Sequence, residues 1–252
     1  GFGGAGTDFL IGNAGNDNLR GAAGRDVIFG DDGSIVLFVN GNTDRVLDGG
    51  VASSYNAPTF DPYELATINP TIGGTDNILG GIDDDIIFGG AVGDTIDGQG
   101  GEELIFGDHG VAQFTFDKKV GTSLMTLAYT TDTAQGGADT VKGGLGEDII
   151  FGGTAGDIID GDVPGAGLQS DDVIVADFGE MTRVISQRLK TGFVAKITTV
   201  SGELSGVAAA PAAGDYGNDI VTGGGGADVI FGGIGMDTLV GGASGDPSLD
   251  GE

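Results

Sequence analysis

A nine-residue period constrains this chain more than any other feature. From Gly3 it reads GGAGTDFLI, GNAGNDNLR and GAAGRDVIF without a break, each with glycine at position one, aspartate at position six and an apolar residue at position eight. The register returns as TIGGTDNIL, GGIDDDIIF, GGAVGDTID and GQGGEELIF from Thr71, and as AQGGADTVK, GGLGEDIIF and GGTAGDIID from Ala134. It returns a last time as GDYGNDIVT, GGGGADVIF and GGIGMDTLV from Gly214. A flexible glycine-rich linker has no reason to keep Ile, Leu or Val at one phase, so each nonapeptide is a unit that stacks on its neighbours.

The units also group in fours. Each fourth unit runs into a related turn, FGDDG at Phe29, FGDHG at Phe106 or VADFG at Val175, and then into an insert. The inserts contain IVLFVNGNTDRVL from Ile35, VAQFTFDKKVGTSLMTLAY from Val111 and MTRVISQRLKTGFVAKITTV from Met181. In each, two runs rich in β-branched and aromatic residues flank a turn signal such as Asn40-Gly41, the pattern of an antiparallel hairpin. Repeats therefore occupy residues 3–33, 71–110, 134–179 and 214–249, and inserts occupy 34–70, 111–133 and 180–213, as one continuous domain over 1–252.

Charge says what must accompany these units. There are 38 acidic residues to 10 basic ones, a formal net charge of -28, so the compact chain repels itself unless cations screen it. Nucleic acid is a poor partner, because the basic residues form no stripe; most sit in the inserts, as Arg45, Lys118, Lys119, Arg183, Arg188, Lys190 and Lys196. The absence of cysteine removes thiolate sites and the single histidine removes a multi-histidine zinc site, which leaves hard oxygen ligands. Carboxylates and main-chain carbonyls suit calcium, with magnesium behind it because magnesium holds its water shell. No apolar run approaches the ~18 residues of a membrane span.

Through its GGxGxDxUx motifs the chain resembles the haemolysin-type RTX family. The resemblance implies an all-β fold, a parallel β-roll, here with inserted antiparallel β-hairpins. In that family the first six residues of a unit form a turn and the last three a short strand, with successive strands on alternate sheets. Each turn then has as its same-side neighbour the turn two units on, and calcium ions sit between such turns. The position-six carboxylates expected to hold them are Asp8, Asp17, Asp26, Asp76, Asp85, Asp94, Asp139, Asp148, Asp157, Asp172, Asp219, Asp228, Asp237 and Asp246, with Glu103 a longer substitute. On the order of ten ions would cancel most of the charge, and the ion-free chain is expected to be expanded or disordered. Asp31, Asp108 and Asp177 recur at one place in the three exit turns, as extra ligands or as turn formers. His109 sits in one of those turns, where the others have Asp32 and Phe178, and reads as a solvent-exposed turn residue.

Position eight supplies a thin aliphatic core, from Leu10 and Leu19 through Ile87 and Ile150 to Leu239. Positions seven and nine differ between alternate units. They are mostly polar in first and third units, as in Asn18 and Arg20 or Thr95 and Asp97, and apolar in second and fourth units, as in Val27 and Phe29, Ile86 and Phe88, or Ile149 and Phe151. One sheet should then be apolar on both faces and need a cover, which the inserts or a neighbouring subunit would supply.

These features favour a structural module of a secreted or cell-surface protein, such as an adhesin, surface layer or extracellular filament, that folds on calcium. The alternative is a C-terminal folding and secretion module of a secreted toxin or enzyme. The resemblance implies type I secretion. Either copies of the chain are expected to stack end to end or further repeats to continue it, since it starts and stops inside the four-unit period. No HExxH helix, GxSxG elbow or Ser/His/Asp set is present, and the Asp83, Asp84 and Asp85 run reads as ion ligation, so no enzyme is expected. Sugar stacking on Tyr129 or Tyr55 lacks a paired aromatic platform.

Overall fold

The computed structural model describes residues 1–39, 42–48, 55–56, 62–117, 122–162, 170–183, 194–199 and 215–242. Successive units alternate between two sheets. One, the first sheet, runs in the order Phe2–Ala5, Asn18–Ala23, Asn77–Ile82, Thr95–Gly100, Thr140–Leu145, Ile158–Asp162, Ile220–Gly224 and Thr238–Gly242, all parallel. The second carries Asp8–Ile11, Val27–Phe29, Ile86–Phe88, Leu104–Phe106, Ile149–Phe151, Val173–Val175 and Val229–Phe231 in parallel, with Tyr55–Asn56 antiparallel at one edge. The fold is the parallel β-roll. Among the described residues there is no helix, so none is long and apolar enough to cross a membrane.

Pairing is in phase throughout, since a one-residue slip would turn every position-eight side chain out of the core. Ile87 faces Ile28 on one side and Ile105 on the other, and Ile96 lies between Ile78 and Val141. These residues, with Leu10, Leu19, Ile150, Ile159, Ile174, Val221 and Ile230, form one buried cluster between the sheets. Strand length departs from the three residues expected of every unit. Second-sheet strands such as Val27–Phe29 and Ile86–Phe88 have 3, but first-sheet strands such as Thr95–Gly100 have 6, because pairing runs on into the next turn. On the other side of the roll every second turn is broken by an insert, so the same extension cannot propagate there.

The three inserts join into a single sheet, which their separate hairpin patterns do not reveal. Its order is Asn42–Asp48, Gly33–Val39, Pro62–Thr67, Gly110–Asp117, Thr122–Thr130, Glu180–Arg183 and Val194–Thr198, antiparallel throughout. The last strand of one insert pairs with the first strand of the next, as in Ala66 with Val111 and Ala128 with Met181. This sheet lies over the outer face of the second sheet. Its Ile35, Leu37, Leu65, Ala112, Phe114, Met125, Ala128 and Met181 share one buried cluster with Phe9, Phe29, Phe88, Phe106, Phe151 and their β-branched neighbours. The cover is therefore the chain's own.

Strand spacing of ~4.8 Å imposes its repeat on identical side chains held in register. Phe29, Phe88, Phe106 and Phe151 consequently stack face to face, with centroids 4.6, 4.8 and 5.0 Å apart along the roll. Each is buried, and removing that much apolar surface from water is worth about 2–3 kcal/mol per ring.

The exposed reading of His109 is corrected by the structure, where 1% of the residue remains accessible. Asp32 and Phe178, its counterparts, are buried too. At two of the exit turns the returning end of an insert crosses above, with the Ile68 amide donating to the Asp32 carbonyl at 3.0 Å and the Thr131 amide to the His109 carbonyl at 2.9 Å, and at the third Tyr216 packs edge-on against Phe178. Burial lowers the His109 pKa, against the opposing charge of Asp132.

Candidate metal centre

Glycine at position one and aspartate at position six make most bends, with Ala176 and Glu103 the exceptions. The main chain at position one runs so close to its own carboxylate that a Cβ at Gly80 would stand 2.7 Å from Asp85 Oδ2, and one at Gly89 would stand 2.6 Å from Asp94 Oδ2. The same Cβ would also meet the position-one carbonyl of the neighbouring turn, Gly98 in the first case and Gly107 in the second. Only glycine leaves that space open, so the bend holds a pocket of oxygens. This requirement is steric and does not arise from positive φ at position one.

Two ladders of carboxylates result, one on each side of the roll. In each, Oδ1 of a position-six aspartate accepts the main-chain N–H of the position-six residue one turn earlier on that side. One ladder runs Asp8 to Asp26 to Asp85, at 2.8 and 2.7 Å, and then from Glu103 to Asp148 to Asp172 to Asp228, at 2.9, 2.8 and 3.0 Å. The other runs Asp17, Asp76, Asp94, Asp139, Asp157, Asp219 and Asp237, with every bond between 2.7 and 3.0 Å. Asp246 lies outside the described residues. The structure thus brings the position-six residues together as same-side neighbours, the arrangement that the repeat implies.

The second oxygen of these carboxylates has no such partner. Oδ2 of Asp8, Asp26, Asp76, Asp85, Asp94, Asp139, Asp148, Asp157, Asp172 and Asp219 is buried without a hydrogen bond, as are both oxygens of Glu103. Leaving one charged oxygen in that state costs more than the ~1–3 kcal/mol of an ordinary buried acceptor, and here the arrangement repeats along the roll. Burial accordingly pushes the acids up: Asp26 and Asp76 to about 6, Asp85 to about 8, and Asp94, Asp157 and Asp172 to about 9, with neighbouring aspartates adding to the rise. Asp139 is raised well above the ordinary carboxylate range for the same reasons. Glu103 is pushed up to about 11 by burial and by the neighbouring charge of Asp148. A ladder of this kind holds either protons or cations.

Among the described residues no three acidic or histidine side chains converge on one point. Carboxylates come at best in successive pairs along a side, so an ion held there must take its remaining oxygens from the glycine-rich main chain. That donor set is all hard oxygen, mixed between side chain and carbonyl, and it fits calcium. Its cradle has been kept free of side chains by glycine.

Asp31, Asp108 and Asp177 stand differently. Each is buried, and each uses both carboxylate oxygens to accept main-chain N–H groups: Gly74 and Ala91 for Asp31, Gly137 and Thr154 for Asp108, and Gly217 and Ile234 for Asp177. Sequence reasoning missed a fourth residue of this type, Asp162, which accepts the Ser170 hydroxyl and the Gly225 amide. The signal was present as an aspartate at position two of an overlong unit. An ion pair between Arg25 Nη2 and Asp84 Oδ2 at 2.7 Å joins position five of two same-side turns, a role that neither residue's place in the motif reveals.

The family model for the RTX calcium-binding nonapeptide repeat matches this chain in four copies, at residues 2–34, 79–110, 133–163 and 213–246. No curated protein and no solved structure matches it.

Proposed function

The chain belongs to the RTX calcium-binding nonapeptide repeat family, and from that premise we propose that it is a structural module of a secreted or cell-surface protein, such as an adhesin, surface layer or extracellular filament. Calcium binding by the repeats is the activity; no catalysis is assigned to it. The observation that carries the reading is the pair of carboxylate ladders, in which oxygens are buried without partners along both sides of the roll. Asp8, Asp17, Asp26, Asp76, Asp85, Asp94, Asp139, Asp148, Asp157, Asp172, Asp219, Asp228 and Asp237 would hold several calcium ions, and Asp246 would extend the set. When bound, the ions supply the positive charge that the side chains do not, and they tie each turn to the next.

The residues of the chain then do the rest. Position-eight aliphatics set the register, glycines hold the bends open, and the insert sheet seals the aromatic stripe. A catalytic role draws no support from His109, which is enclosed beneath a returning insert. Export before folding, with calcium met outside the cell, accords with a fold that depends on ions.

Circular dichroism with calcium and after complete chelation tests the ion dependence, and electron microscopy of the same samples tests the structural role. Loss of β-signal on chelation with filaments or sheets in calcium supports the proposal. Identical spectra in both conditions would refute it, and calcium-loaded particles that stay single at high concentration would refute self-assembly.

A further inference from the structure

The repeat unit is split at four places. At three of them an insert separates position two, which is Asp31, Asp108 or Asp177, from position four of the same turn, which is Gly74, Gly137 or Gly217. The fourth is the unit from Gly161 to Val175, which has fifteen residues and keeps Asp162 at position two with Ser170 at position four. Aspartate stands at position two in all four split turns. In unbroken turns that position holds Gly4, Asn13, Ala22, Gly81, Gly90 or Gln99, all with positive φ, a conformation the four aspartates do not adopt.

The contacts follow one rule. Asp31 accepts the Gly74 amide at 3.1 Å and the Ala91 amide at 2.5 Å; Asp108 accepts the Gly137 amide at 2.9 Å and the Thr154 amide. Asp177 accepts Gly217 at 3.4 Å and Ile234 at 2.7 Å, and Asp162 accepts the Ser170 hydroxyl and the Gly225 amide at 2.8 Å. One oxygen therefore always reaches position four across the break. The other always reaches position three of the next turn on the same side. Each carboxylate also lies against position two of that next turn, where a Cβ at Gly90 would stand 2.9 Å from Asp31 Cβ and one at Gly153 3.0 Å from Asp108 Cβ.

We infer that aspartate at position two is a clamp for interrupted turns: its carboxylate closes the broken turn on itself and onto its neighbour, so that the roll winds on past an insertion. Its oxygens are committed to main-chain and hydroxyl donors, and it adds no ion. Charge-assisted bonds of this kind are stronger than those between neutral groups, and two of them replace the covalent continuity that the turn has lost. The clamp spans separations of 43, 29, 40 and 8 residues. One device serves all of them because the entropy of closing a loop rises only with the logarithm of its length.

Asp162 gives the decisive test, because residues 163–168 can be deleted to leave the nine-residue unit Gly161-Asp162-Gln169-Ser170-Asp171-Asp172-Val173-Ile174-Val175. At saturating calcium, Asp162→Gly in the full chain should lower the melting temperature and speed amide exchange at Gly225 by about tenfold or more. In the shortened chain the same substitution should leave the melting temperature unchanged or raise it. Bound calcium should be equal in all four proteins. An equal drop in both backgrounds, or one ion fewer with Asp162→Gly, overturns the inference. Should the shortened chain fail to fold, Asp108→Gly in the full chain decides: faster exchange at Gly137 and Thr154 with an unchanged ion count supports the clamp, and a lost ion or unchanged exchange at both amides rejects it.

Discussion

Phe88→Ser probes the seal between roll and cover. Phe88 is fully buried and stacked between Phe29 at 4.6 Å and Phe106 at 4.8 Å, so no neighbour can close over the space it leaves without breaking the aromatic ladder. Truncating a buried phenylalanine costs about 3–5 kcal/mol, and a serine hydroxyl without a partner there adds about 1 kcal/mol. The loss falls on the contact between second sheet and cover, because Phe88 belongs to that cluster, whereas its neighbour Ile87 belongs to the core between the two roll sheets. Opening of the cover should therefore become easier by about 4–6 kcal/mol, which is roughly a thousand- to twenty-five-thousandfold in the open population. The assay is trypsin digestion in excess calcium, following cleavage after Arg45, Arg183 and Lys196, which lie within cover strands. Those cuts should accelerate while the calcium-dependent circular dichroism of the roll persists. Unchanged cleavage at all three would refute the argument that stacked aromatics hold the cover down.

Three further outcomes follow from the ladders and bends. In the ion-free chain, carboxyls raised to about 6–9 by burial mean that the folded state binds more protons than the unfolded one; their contribution is present below about pH 4 and lost as pH rises through 6 to 9, so circular dichroism after chelation should recover β-signal on acidification from pH 8 to pH 5. No recovery would mean that the acids are not the obstacle to folding. Asp94→Asn keeps an acceptor for the Asp76 amide but removes one charge from the ladder, and should raise the calcium concentration at half-folding severalfold, read by a calcium titration. Val92 holds φ at 70° on the surface, where a β-branched residue is strained, so Val92→Gly should stabilise the loaded chain by about 0.5–1 kcal/mol, seen as a rise in melting temperature; a fall would show that the valine side chain contributes more than its strain costs.

Much of this architecture was legible because the repeat fixes what each position does. Position eight identified Ile28, Ile87 and Ile105 as core, and the contrast between Thr95 and Phe88 at outward positions identified which sheet needs a cover. The ladder residues followed from position six and the resemblance. Other features depend on what comes together across long separations. Pairing of Ala66 with Val111 fuses two inserts, although each looks like an isolated hairpin in sequence, because a strand edge carries no label for its partner. His109 looked exposed because its counterparts are Asp32 and Phe178; all three are buried, Asp32 and His109 beneath a returning insert and Phe178 against Tyr216, so the site imposes enclosure without imposing one side chain. Glu103 shows the opposite limit. Its side chain is one methylene longer, and both of its oxygens are buried without the main-chain partner that an aspartate takes at that place in the ladder, a change that position alone would treat as conservative.

The two sheets show why ions and inserts are separate necessities. A first-sheet strand such as Thr95–Gly100 buries Ile96 inward and leaves Thr95 exposed, so it contributes little apolar surface of its own. A second-sheet strand such as Ile86–Phe88 buries all three of its residues, but two of them only because the insert sheet lies over them. Turns join the sheets, and in the turns the carboxylates oppose winding until cations meet them. Removing ions should therefore release the first sheet and the bends before it releases the aromatic cluster, and the two stabilising systems should be separable by perturbing Asp94 and Phe88 in turn. The insertions reconcile the systems: they enter only at turns with aspartate at position two, where closure is supplied by main-chain hydrogen bonds, and the strands they deliver cover the face that the ions cannot protect.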